Sequence, residues 1–296
     1  MIDPGGPRRE GAAEAGSRAP ANAANSARVN RAQVLRLLQE AGQLTRPELV
    51  RLTGLTAGSI SNVVRDLVEL RLVAPTGATA PRRISEAGMA AALLGLDPSW
   101  NRVLAVHQGV SRLRLAATDL GGDLLVTDEL DLKRGLSWQW TVGRIGDRLL
   151  ALVRRQGWDP TQIRGVGVGA VGLVDARTGT VRAAPNLGWK DVPLRSALPW
   201  PVAVRNNVHA MALGDKRFGG LGDPDAVYVY VGTGIGSGIL SRGSVMGGVP
   251  GAAALALDEF VFNPAAPLLA QRAEAWERSA PPPLFEPVGQ PGAAPR

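Results

Sequence analysis

The stretch that most constrains this chain is LTRPELVRLTGLTAGSISNVVRDLVELRL, residues 44–72. Thr45 is placed to cap a helix, and Glu48, three residues on, can reach back to the cap's N–H; Pro47 sits in the first turn, where a missing donor costs nothing. Leu49 and Leu52 are expected to face inward. Thr53-Gly54-Leu55 breaks the pattern, and Thr56 caps a second helix whose Ile60, Val63, Val64, Leu67 and Leu70 repeat at helical spacing. Two short helices around a glycine-containing turn are what a DNA-reading helix-turn-helix needs. The far side of the second helix carries Ser59, Ser61, Asn62 and Arg65, side chains small or polar enough to meet base edges or phosphates. Thr45 and Arg46, at the head of the first helix, join Thr56 and these four as candidate DNA contacts. A preceding helix over residues 29–41 supplies Val34, Leu35 and Leu38 to a three-helix core.

After Leu72-Val73 comes PTGATAPRR, which reads as the wing of a winged helix, with Arg82 and Arg83 set for phosphate or minor-groove contact. The rest of the composition sets limits. A length of 296 residues and 45% hydrophobic content accommodate two domains with real cores. The net charge of +7 agrees with a polyanionic partner, double-stranded DNA here, although Lys133, Lys190 and Lys216 are the only lysines and the arginine excess says little by itself. No cysteine means no disulfide, thiolate nucleophile or cysteine-held zinc, and His107 and His209 alone make no multi-histidine metal site. Residues 1–28 have no apolar segment of the kind a secretion signal needs and read as a disordered leader on a cytoplasmic protein; no run is apolar enough to span a bilayer.

A second domain is expected from Leu94. Residues 94–125 alternate apolar and polar in two runs and turn at Gly121-Gly122, a hairpin-like pair of strands. A helix over residues 140–154 follows, with Val142, Ile145, Leu149, Leu150 and Val153 on one face. IRGVGVGAVGLVD and PVAVRNN then read as further strands, so the domain is α/β with a mixed sheet. In AVYVYVGTGIGSGIL, residues 228–231 read as a buried strand. The loop with Gly232, Thr233, Gly234 and Gly236 offers free N–H groups to a phosphate, or is a tight turn between two strands. It has neither the lysine of a P-loop nor a dinucleotide fingerprint.

Three ordered segments, GVGVGAVGLVDARTGTVRAAPNLGWKDVPL, PVAVRNNVHAMALGD and VYVYVGTGIGSGIL, together with the helix-turn-helix, resemble the ROK family of repressors and sugar kinases over about residues 29–251. The resemblance implies a winged helix-turn-helix followed by an actin-like (sugar-kinase, RNase H-like) lobe. It implies a winged helix at residues 29–93, a first ROK lobe at 94–251 and a divergent, disordered tail at 252–296. By the same resemblance Asn186, Asn206 and Asn207 are the sugar-side candidates, each equally readable as a turn or strand-end asparagine satisfying backbone groups; the glycine loop is a vestigial phosphate loop, and the protein works as a homo-oligomer. Kinase members carry an Asp-x-Gly motif, a second Asp twelve positions on, and an Asn-Asp pair whose Asp is the general base. Here those positions are His107, Gly109, Asp119 and Asn206-Asn207. An amide has no useful basicity, so Asn207 can bond a sugar hydroxyl without deprotonating it. The family's Gly-Glu-x-Gly-His segment, zinc site and second lobe have no counterpart after Gly251, where the composition changes within a motif; a shifted frame or truncation accounts for that better than divergence. The expectation is a DNA-binding repressor of carbohydrate genes that needs no cofactor, answering to a sugar or sugar-phosphate effector. A family sugar kinase and an effector-independent DNA-binding module are the alternatives.

Overall fold

A computed structural model describes residues 18–79, 91–218, 226–231 and 235–240. The first helix, α1 (Arg18–Ala41), runs through 24 residues and so begins well before residue 29; residues 18–28 are helical rather than a disordered leader. Alanine-rich sequence with no proline after Pro20 lets the helix extend there. A short β1 (Gln43–Leu44) leads into α2 (Arg46–Thr53) and α3 (Ala57–Glu69). Both expected caps form: Thr45 and Glu48 make a capping box, and Thr56 accepts from the Ser59 N–H at 3.2 Å. Gly54 takes the left-handed conformation (φ 72°) that ends α2 and opens the turn.

Val34, Leu35 and Leu38 of α1, Leu49 of α2 and Ile60, Val63, Val64 and Leu67 of α3 are buried together. Leu52 is 42% exposed, not inward-facing, because α2 is only eight residues long and the core meets a single face of it. Two strands, β2 (Val73–Thr79) and β3 (Ala92–Leu96), pair antiparallel beside β1 in the order β1-β3-β2. Leu94 pairs with both Leu44 and Pro75 and lies in this core, so the winged helix closes on a strand that the sequence assigned to the second domain. Residues 80–90, with Arg82 and Arg83, lie outside the described residues.

The lobe is built on a five-stranded sheet. β4 (Arg102–Gln108), β5 (Arg112–Thr118) and β6 (Leu124–Asp131) form an antiparallel meander, so Gly121-Gly122 is its second turn and Gly109 begins its first. α4 (Trp138–Arg155), capped by Ser137, crosses to β7 (Ile163–Ala170), which runs parallel to β4. A small antiparallel sheet, β8 (Leu173–Asp175), β9 (Thr180–Ala184) and β10 (Trp189–Val192), precedes β11 (Val202–Asn206), parallel to β7. The order is β11-β7-β4-β5-β6. α5 (Asn207–Phe218) and the hairpin β12 (Ala226–Val231) and β13 (Ile235–Leu240) follow.

Strand alternation splits the sheet's side chains between two cores. Leu104, Val106, Val166, Val168, Val202 and Val204 pack with Ile145, Leu149 and Leu152 of α4. Val103 and Ala203 point the other way and, with Leu120, join the cluster of α1 and α3. The winged helix and the lobe thus share a core.

One expectation fails at the hairpin. β12 is not buried: Val227, Val229 and Val231 are 68, 59 and 74% exposed, while the Tyr228 hydroxyl bonds Asp215 of α5. Only one face of a two-stranded hairpin meets α5. Gly236 pairs with Tyr230 within β13, so it lies in the second of two paired strands, as the reading of a turn between two strands has it. Gly232, Thr233 and Gly234, like the tail from residue 241, lie outside the described residues. Among the described residues no helix is long and apolar enough to cross a membrane.

Candidate nucleic-acid interface and ligand cleft

α3 is amphipathic, and its polar side is the one left to solvent. Ser61, Asn62 and Arg65 are exposed and make no hydrogen bond or ion pair among the described residues. At the helix head, Thr56 is exposed and Ser59 half-buried, their hydroxyls 2.9 Å apart. The free N–H groups of this first turn carry the partial positive charge of the helix end. Arg46 is exposed at the start of α2. Thr45 is different: it is 4% exposed, and its hydroxyl accepts from the Glu48 N–H while donating to the Glu48 carboxylate at 2.7 Å. Capping occupies both of its functions, which makes Thr45 a helix cap and not a DNA contact.

At the lobe's other end, the parallel strands finish in register. Gln108, Ala170 and Asn206 lie side by side across β4, β7 and β11, with His107, Gly169 and Arg205 in the row before them. In open α/β sheets the carboxyl ends of the strands form the ligand crevice. Gly169 has a packing reason: a Cβ there would come within 3.2 Å of Ala210 and 3.3 Å of the Asn207 backbone, so α5 rests directly on β7.

Asn206 is largely committed to structure. Its amide donates to the Gly172 carbonyl at 2.8 Å, and its oxygen accepts from the N–H groups of Val208 and His209 at 2.9 and 3.1 Å, capping α5. Asn207 is buried, and its oxygen accepts from the Val208 N–H at 3.0 Å. Neither offers a base. His107 is buried, its Nδ1 without a partner, and burial, then the charge of Arg114, lowers its pKa from the usual histidine value. Asp119 accepts from the Gly122 and Asp123 N–H groups at 2.9 and 3.0 Å in the meander's second turn, and burial raises its carboxyl pKa.

Asn186 is exposed in the turn before β10 and lines an open cleft with Gln108, Lys133, Arg134, Thr141 and Trp189. The cleft encloses only about 20 Å³, space for a water-sized guest and not for a whole sugar ring. Gln108 is fully buried and ties the strand ends together, donating to the Gly109 carbonyl and accepting from the Val171 N–H. Of these residues the sequence pointed only to Asn186. The others come from four separate segments, and no local pattern joins them.

Known proteins share this arrangement. A model of the ROK family matches residues 103–256, just over half of the chain, and a model of the MarR family matches residues 28–84. The xylose repressor of Caldicellulosiruptor bescii is 27% identical over 228 residues, covering 75% of this chain and 56% of that protein. A glucokinase of Halalkalibacterium halodurans is 28% identical over 155 residues, 51% of this chain and 47% of the kinase. The chain spans a little over half the length of the curated repressors it matches. In the crystal structure of a ROK family transcriptional regulator, described as a homologue of the E. coli MLC protein, the same fold recurs. The TM-score is 0.62 at 23% identity, over 76% of this chain and 57% of that one. With a ROK model matching just over half its length and a winged helix ahead of that lobe, the chain belongs to the ROK family.

Proposed function

We propose that the chain is a DNA-binding repressor of carbohydrate genes, working in the cytoplasm, with a sugar-type effector read by the ROK lobe. The observation that carries this is α3: a capped helix, packed on one side into a MarR-like domain, that keeps Ser61, Asn62 and Arg65 on its solvent side. Thr56, Ser59 and Arg46 flank that face, and Arg82 and Arg83 of the wing are assigned to phosphate or minor-groove contact. A homo-oligomer binding paired half-sites completes the reading. The names of the repressor relatives support it. The glucokinase relative favours a kinase as the second reading, against which stand an amide at Asn207 and an imidazole at His107 in place of carboxylates.

The test is fluorescence anisotropy of the chain on its upstream intergenic DNA and on scrambled DNA at fixed salt, with and without sugars. We expect preference for the upstream DNA, release by one effector, and a loss of about 1–3 kcal/mol for Arg65→Ala if it reads a base. Equal binding to both DNAs would defeat the proposal. Binding that no effector changes leaves the effector-independent module, and sugar-dependent ATP turnover would favour the kinase.

A further inference from the structure

Every glycine of the described winged helix but one has a reason in the fold. Gly42, Gly54 and Gly77 take left-handed conformations, with φ between 72° and 76°, and a Cβ on Gly95 would come within 2.9 Å of the Thr76 side chain. Gly58 has neither reason. It lies in the first turn of α3 with ordinary helical backbone, it is exposed, and a Cβ there would meet nothing within 4 Å. Glycine is the poorest helix former after proline, and alanine stabilises a fold where the backbone already suits it. The folded chain therefore loses stability at Gly58 and gains no contact from it.

The place of Gly58 on the helix says what its bare backbone faces. Gly58, Ser61, Asn62 and Arg65 follow one another at i, i+3, i+4 and i+7, a single exposed stripe, while Ile60, Val63, Val64 and Leu67 are buried. Along that stripe the side chains lengthen from none, through a hydroxymethyl and a carboxamide, to a guanidinium on three methylenes. A surface that all four touch lies nearest the backbone at Gly58 and stands farther off at Arg65, about 10 Å along the helix at 1.5 Å per residue.

Resting on the DNA-binding reading above, we propose that Gly58 is a positioning residue for DNA: the duplex fills the space its missing side chain leaves. The glycine sets how closely α3 approaches, and so whether the short side chains of Ser61 and Asn62 reach base edges.

Substitution at Gly58 should move stability and binding in opposite directions, which a structural role would not. Gly58→Ala and Gly58→Leu are compared with the wild-type full chain by thermal melting, and by fluorescence anisotropy on the upstream intergenic DNA and on scrambled DNA at fixed salt. Gln33→Leu, at an exposed position of α1, controls for added apolar surface. We expect both Gly58 variants to melt no lower than wild type. Their affinity for the upstream DNA should fall about tenfold for alanine and about a hundredfold for leucine, the range of penalties for overfilling a packed contact. Gln33→Leu should bind as wild type does, and an equal loss from it overturns the proposal. Gly58 variants that bind like wild type overturn it too and leave the DNA-binding reading standing; variants that melt lower do the same, because the glycine then serves the fold. A wild-type chain that binds both DNAs alike defeats both readings.

Discussion

His107 stands on β4 between Arg114 of β5 and Gly169 of β7. Its burial, with the Arg114 charge second, holds its pKa below the ordinary histidine value, so the folded protein keeps it neutral where the unfolded chain would take a proton. His209 is lowered in the same direction, by burial and then Arg205. The fold binds fewer protons than the unfolded chain below about pH 6.5, so this contribution is intact above that pH and is lost as the pH falls through it. Each histidine sets a slope of at most about 1.4 kcal/mol per pH unit. Asp119 has the opposite sign, because its raised pKa makes the protonated carboxyl the favoured buried form, but its window lies toward the ordinary carboxylate range. We therefore expect denaturant midpoints to fall between pH 8 and pH 5.5, and His107→Gln to flatten that fall. A slope unchanged by the substitution would show that the imidazole takes up its proton alike in the folded and the unfolded chain.

On α3, two residues two positions apart carry different duties. Leu67 is fully buried among Val34, Leu35 and Leu38, so Leu67→Ala removes packed methyl groups and should cost about 2–5 kcal/mol in urea unfolding. Arg65 is exposed, and Arg65→Ala should move stability by less than about 0.5 kcal/mol while weakening DNA binding. An Arg65→Ala variant as unstable as Leu67→Ala would place the helix's core on the wrong side. This element was legible in the sequence because caps and helical spacing are local: Thr45, Glu48 and Thr56 announced their roles within four residues. Pairing between distant strands was not. Leu94 read as the start of a second domain because nothing near it says that its partners are Leu44 and Pro75. β12 read as buried because alternating valines and tyrosines fit a core strand, yet its valine side is open. The cleft was the least legible part, since Gln108, Lys133, Thr141 and Trp189 meet only after β4, α4 and β10 have taken their places.

The two units of the molecule are joined by more than a linker. α3 ends in a Schellman arrangement, with the Leu72 N–H donating to the Leu67 carbonyl and the Arg71 N–H to Val68, and Arg71 takes the left-handed conformation usually left to glycine (φ 54°). Its guanidinium lies 4.1 Å from the centre of the Trp100 ring, and its carbonyl accepts from the Asn101 amide. Asn101 is fully buried, and its oxygen accepts from Arg164 of β7. One side chain thus fastens the end of α3 to the first residue pairs of the central sheet, above a core that α1, α3 and the sheet share. Such a shared core should melt as one unit, and the sequence supplies separate probes. Every tryptophan lies at position 100 or beyond, so fluorescence reports the lobe and, through Trp100, its seam with Arg71, while the far-ultraviolet dichroism includes α1 to α3. We expect the two melting curves to coincide. Asn101→Ala leaves the Arg71 carbonyl and the Arg164 guanidinium without this partner, a loss of roughly 1–3 kcal/mol that should move both curves together if the core couples the units. Two separated transitions in the wild-type chain would mean that the DNA-reading unit unfolds on its own, and that effector binding in the lobe has no packed route to α3.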